Sequence, residues 1–201
     1  MEVISFRFLN LDDTKNPKYE AWSRIYEYPF VLDALTKLGA SSTSAIHNSC
    51  WGFVGCHVEF KNDLDELYDN VLHSDIKHST LKNTIVYDVT KKIEDKYLNY
   101  FDFVINVSTI EEVNHPNIEV FNNLLEQVKP GGYLIVTFDY DKNNCSSYGQ
   151  GSMNLSEVET YVGQSCTPLE INSINGSNSI LPQHYFQNLN CGILILKKNS
   201  M

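Results

Sequence analysis

Apolar residues recur at three- and four-residue spacing through Ile25, Tyr28, Leu32, Leu35 and Leu38, which predicts a helix over 18–38 with one buried face. Pro29 predicts a break inside it, and Gly39 a C-terminal stop. A polar linker, SSTSAIHNS, then runs into a short strand near Ala45 to Asn48. NDLDELYDN (62–70) reads as a short helix, and the β-rich runs 70–76, 83–89 and 100–108 read as strands. The last of these is apolar at consecutive positions, as a strand buried on both faces should be. Ile118, Phe121, Leu124, Leu125 and Val128 form one stripe, so HPNIEVFNNLLEQV reads as a helix that KPGG terminates. YLIVTF (133–138) is a buried strand.

Beyond 138 the pattern changes. DYDKNNCSSYGQGSMN is turn-rich with little to bury, a candidate substrate loop. SEVETYVGQ reads as a short helix, and PLEINSI and CGILILKK as two final strands around a polar loop. Strands alternating with helices argue for a parallel α/β sheet with helices on both faces. The final pair lacks a helix for a crossover and is expected to be antiparallel. The expected organisation is one domain, with an N-terminal extension (1–17), a cofactor-binding core (18–140), and a substrate loop with the final strand pair (141–201).

Composition narrows the classes. A chain of 201 residues with 42% hydrophobic and 20% charged residues has globular values and can bury a full core. A net charge of −10 without a Lys/Arg block weighs against a nucleic-acid partner, because phosphate neutralisation needs a basic stripe. MEVISFRFLN lacks the features of a signal peptide, and no apolar run approaches a membrane-spanning length. A cytoplasmic chain without membrane insertion is expected. Its five cysteines include no CxxC pair, which suits reduced thiols, with Cys191 a small core residue.

In an open parallel sheet, ligands bind outside the carboxyl ends of the strands. His47, Asn48, Asp75, Asp88, Asn106, Val107, Ser108 and Asp139 fall at such ends. Asp75, ending the second core strand, is placed to accept two hydrogen bonds from a ribose diol, and Asp88 to meet an adenine amino group. HNSCWGFVGCHVEF (47–60) admits three readings: a cofactor turn, a metal or thiol site, or a packed strand. His47, Cys50, Cys56 and His57 are spaced irregularly for zinc, so no metal is expected. Glu111, Glu112 and His115 in EEVNH offer a general base or metal ligands; alternatively they place acidic charge at a helix start.

FDFVINVSTIEEV followed by LLEQVKPGGYLIVTF resembles the class I S-adenosylmethionine-dependent methyltransferases, over roughly 18–198. The resemblance implies a Rossmann-like, mostly parallel seven-stranded sheet with an antiparallel last strand. It implies S-adenosyl-L-methionine as cofactor and S-adenosylhomocysteine as product. The family's acidic residue and alternating glycines are missing: His47 stands for the acid, and Ser49 and Trp51 for glycines. Gly52 and Gly55 still allow close backbone approach, with Asn48 and Gly52 the expected contacts. Arg24 is the expected anchor of the methionine carboxylate and Glu27 of its ammonium.

The pattern WSRIYEYP, HNSCWG, LHSDI, VYD and INVSTIEEV is most similar to methyltransferases found beside glycosyltransferases in glycan-building loci. It is also similar to the sugar O-methyltransferase domain fused to glycosyltransferases in large algal viruses. The implied reaction is methylation of a sugar hydroxyl of a glycan, for instance on a deoxysugar such as rhamnose, by a chain fused to or acting with a glycosyltransferase. A hydroxyl needs a general base, for which the candidates are His115 and Asp139, then Glu111 and Glu112, then His57. Tyr140 and Tyr148 are candidates to stack on the sugar. Alternatives are a methyltransferase for a small metabolite or protein side chain, and a non-catalytic module that kept the fold. A nicotinamide enzyme is disfavoured because GxGxxG is absent.

Overall fold

The computed structural model describes residues 1–10, 13–19, 23–50, 56–141, 153–168 and 189–200. In chain order the elements are β1 (Glu2–Phe8), α1 (Arg24–Lys37), β2 (Ala45–Cys50), α2 (Cys56–Leu67), β3 (Asn70–Asp75), β4 (Thr84–Val86) and β5 (Phe101–Val107). They continue with α3 (Asn117–Gln127), β6 (Val128–Asp141), α4 (Leu155–Val162) and β7 (Leu189–Lys197). Short 3₁₀ turns lie at Asp95–Tyr97 and Ile110–Glu112.

The seven strands form one sheet in the order β1-β7-β6-β5-β2-β3-β4. Strands β2 to β6 pair in parallel, and β7 is antiparallel to both its neighbours. The chain moves outward from β2 to β4 and then returns to β5 beside β2, so the strand order reverses between β2 and β5. That reversal leaves a crevice at the carboxyl ends, because the connections leaving the two strands diverge to opposite sides.

Alternation along the inner strands builds two cores. On one face Val104, Leu134, Val136 and Leu194 meet Phe121 and Leu124 of α3 and Val158 of α4. On the other, Ile46, Phe103, Ile105 and Ile135 meet Val31 and Leu35 of α1 and Phe60 and Leu64 of α2. A strand covered on both faces buries every side chain, each worth about 1.5–3 kcal/mol, which is why β5 reads as a continuous apolar run.

Two local expectations are corrected. Pro29 does not break α1; it lies inside the helix. The Ile25 carbonyl, which Pro29 cannot reach with an N–H, instead accepts the Asn16 N–H at 2.8 Å. Secondly, α3 stops at Gln127, ahead of KPGG, and Val128 already belongs to β6. Lys129–Gly132 form a bulge where the β5–β6 register jumps from Phe101↔Val128 to Phe103↔Tyr133. Gly131 takes φ +84 there, and a Cβ on Gly132 would lie 2.6 Å from the Asp102 carbonyl oxygen. The N-terminal stretch supplies an edge strand: β1 pairs with β7, with Phe8 opposite Gly192. PLEINSI, expected to pair with β7, falls mainly outside the described residues. HNSCWGFVGCHVEF contains the end of β2 and the start of α2, and the turn expected between them, residues 51–55, lies outside the described residues.

Candidate functional site

The crevice at the strand reversal holds a cavity of about 300 Å³ lined by residues including Ser49, Asp75, Ile76, Asp88, Thr109 and Glu112. Asp75 closes β3 and is buried; its Oδ1 accepts the Lys77 N–H at 2.7 Å. Asp88 Oδ1 accepts the Thr90 backbone N–H at 2.9 Å and the Thr90 hydroxyl at 2.7 Å, which fixes the turn after β4. Ile76 is 61% exposed, a large apolar side chain at the cavity rim. Asn106, wholly buried on β5, donates to the Ser49 carbonyl at 3.1 Å, while its Oδ1 meets no partner. Val107 packs into the α1–α2 core.

Behind this cavity the first turn of α1 meets the ends of β5 and β6. Ser108 adopts φ +37, a strained value for a residue with a side chain, and its hydroxyl donates to Glu27 Oε1 at 2.6 Å. Glu27 Oε2 accepts from Ser23 Oγ at 2.7 Å and pairs with Arg24. Burial opposes ionisation of Glu27, but Arg24 and the hydroxyls outweigh it and hold its pKa below the ordinary carboxylate range. Ser23 Oγ also lies 3.4 Å from Asp139 Oδ1, and the Asp139 N–H donates to Glu111 Oε1 at 2.8 Å. Asp139 is pushed up to about 7, first by burial and then by the neighbouring Glu27. Glu111 is driven well above the ordinary range, first by burial and then by Asp139. Two buried atoms of this group, Arg24 Nε and Glu111 Oε2, have no hydrogen-bond partner.

The structure thus brings together Arg24, Glu27, Ser108, Glu111 and Asp139. It places Asp75, Asp88 and Glu112 at the adjoining cavity. His115 lies outside the cavity lining, with Nε2 2.7 Å from Glu119 Oε2. His57, near the start of α2, bonds the Tyr28 hydroxyl through Nδ1; burial, then Arg24, lowers its pKa to about 4. His47 points into the core between Gln127 (2.6 Å) and Ser74 (2.7 Å) and is lowered to about 4 by burial. Asn48 bonds His73 at 3.1 Å, His73 bonds Asp65 at 2.9 Å, and Asp65 meets Lys61 at 2.5 Å beneath α2. Gly52, Gly55 and Tyr148 lie outside the described residues.

Sequence reasoning missed Ser23 and Tyr28. Ser23 lies four residues before Glu27, one helical turn on the same face, a signal that was available. Among the described residues, no group of three or more His, Cys, Asp or Glu side chains is arranged to hold a metal ion. No described helix is long and apolar enough to cross a membrane.

No family model matches the sequence, and no curated protein does. Solved structures do resemble the fold. The phosphoethanolamine N-methyltransferase 2 of Haemonchus contortus, solved with phosphomonomethylethanolamine and S-adenosylhomocysteine, aligns with 86% of this chain at TM-score 0.55 and 15% identity. The present chain spans 53% of that protein's length. The N-methyltransferase NodS of Bradyrhizobium japonicum aligns with 86% of this chain and 98% of its own, at TM-score 0.53 and 14% identity. The [4+2]-cyclase SpnF aligns with 100% of this chain and 88% of its own, at TM-score 0.55 and 14% identity. The chain therefore has the Rossmann-like class I methyltransferase fold.

Proposed function

We propose that this chain is an S-adenosylmethionine-dependent methyltransferase acting on a sugar hydroxyl. The reading rests on one observation above the others. At the strand reversal of a methyltransferase fold, a cavity ending in Asp75 and Asp88 adjoins a buried Arg24–Glu27 pair whose Arg24 Nε is left without a partner. A fold alone does not fix a reaction, so the residues must fit the cofactor.

They do fit. An unpaired guanidinium N–H suits a carboxylate, and ionised Glu27 suits an ammonium or sulfonium. Asp75 in the cavity lining suits a ribose diol, and Ile76 and Asp88 beside it suit the base. The cavity is at the small end of ligand pockets, about 300–1,000 Å³. When bound, S-adenosylmethionine supplies an electrophilic methyl group on a sulfonium. The chain must then orient a hydroxyl and take its proton. Asp139 is the base this geometry favours over His115, because it stands in the Arg24–Glu27 cluster and titrates near neutrality. The sugar as acceptor is supported by the sequence resemblance to glycan-locus enzymes.

Transfer of labelled methyl to a panel of methyl glycosides, rhamnosides included, tests this reading against a matching panel of small amines. Label on a glycoside, rising with pH through about 7 as Asp139 ionises, is the expected result. Label on amines alone would remove the sugar.

A further inference from the structure

We propose that Glu111 acts as a neutral carboxylic acid that donates a hydrogen bond to the acceptor, beside Asp139 and with a different role. The geometry is specific. Glu111 sits in the 3₁₀ turn directly after the strained Ser108 and is 1% exposed. Its Oε1 is committed to the Asp139 N–H at 2.8 Å, while its Oε2 is buried with no partner.

The groups around it are mostly acidic. Glu27 comes from α1, Asp139 from β6, Glu112 from its own turn, and the Cys191 thiol, which burial keeps protonated, from β7. Arg24, which faces the same group, directs Nη1 to Glu27 and Ser23 and feels Glu111 only beyond contact distance; no cation forms an ion pair with Glu111 among the described residues. A carboxylate oxygen left bare there would carry the full desolvation cost beside like charges. A proton on Oε2 removes that cost and turns the same oxygen into a donor. The chain offers this donor no acceptor among the described residues, and Thr109 and Glu112 on either side of Glu111 line the cavity, so the acceptor is assigned to an oxygen of a ligand held there.

Resting on the sugar reading above, the pair matches a vicinal diol. Asp139 accepts from the hydroxyl that reacts, and Glu111 donates to the oxygen of its neighbour. Glu111 keeps its proton throughout, and no bond is made or broken at it.

Infrared difference spectra of the wild type minus Glu111→Gln at neutral pH test the proton directly. A protonated-carboxyl stretch in the difference is expected, and carboxylate bands alone would overturn the proposal. This outcome does not depend on the cofactor. Failure of the wild type to bind S-adenosylhomocysteine would defeat the methyltransferase reading while the spectrum still decided the state of Glu111. The donor role is read from methyl transfer to a glycoside with a vicinal diol and to its deoxy analogue lacking the neighbouring hydroxyl. Glu111→Ala should lose about tenfold or more on the diol, far less on the analogue, and Glu111→Gln should restore most of that loss. An inactive Glu111→Gln that still binds S-adenosylhomocysteine as the wild type does would show that Glu111 works ionised, contrary to the proposal. So would full activity in Glu111→Ala.

Discussion

At the scale of single residues, Asp139 and Glu27 occupy one cluster and are driven in opposite directions. Glu27 has Arg24, Ser23 and Ser108 to hold its charge, whereas Asp139 meets burial and the charge of Glu27 itself. A carboxyl raised in the folded state contributes stability at low pH, fully present below its unfolded value near 3.8, and loses it as pH rises through about 7. Asp139→Asn should therefore become more stable relative to the wild type as pH is raised from about 5 to about 8, by roughly 1–4 kcal/mol in denaturant melts. The same variant should lose about 10²–10⁴-fold in methyl transfer while keeping its affinity for S-adenosylhomocysteine. Glu27→Gln removes the partner of a buried guanidinium and should cost about 3–5 kcal/mol in the same melts. An unchanged midpoint would show that Arg24 finds another partner.

At the scale of elements, what could be read from the chain was what local pattern encodes. The inner strands β5 and β6 and the helices α3 and α4 announced themselves by apolar period. Asp75, Asp88 and Asp139 stood visibly at strand ends. What could not be read depended on distant partners. Pro29 looks like a helix break until Asn16 supplies the donor for the Ile25 carbonyl. The alternating ISFRF of β1 is a strand signal, but its place in the sheet is set by β7 at the other end of the chain. The cluster of Ser23, Glu27, Glu111 and Asp139 joins three separate segments, so no single window contains it. Gly192 shows how closely this edge is packed: a Cβ there would lie 2.2 Å from Phe138 Cζ, and Phe138 in turn packs edge-on against Phe8 at 6.0 Å between ring centroids. Gly192→Ala should displace that ring and destabilise the protein by about 1–3 kcal/mol, measured by thermal or denaturant unfolding.

At the scale of the whole molecule, a sheet whose order reverses between β2 and β5 collects polar side chains at that reversal. The fold places a crevice there whatever the chemistry, and SpnF carries the name of a cyclase on a similar fold. On the proposed reading, the crevice takes a cofactor through its local set: acidic ends at Asp75 and Asp88, ionised Glu27, and an Arg24 N–H without a partner. The central claim is therefore one of binding. It is tested most directly by calorimetric titration of the folded chain with S-adenosylhomocysteine, alongside Asp75→Ala and Arg24→Ala. The account predicts saturable binding to one site in the wild type, weakened about tenfold or more in each variant, the loss of a charged hydrogen bond. No heat at millimolar ligand from a protein that melts cooperatively would contradict it.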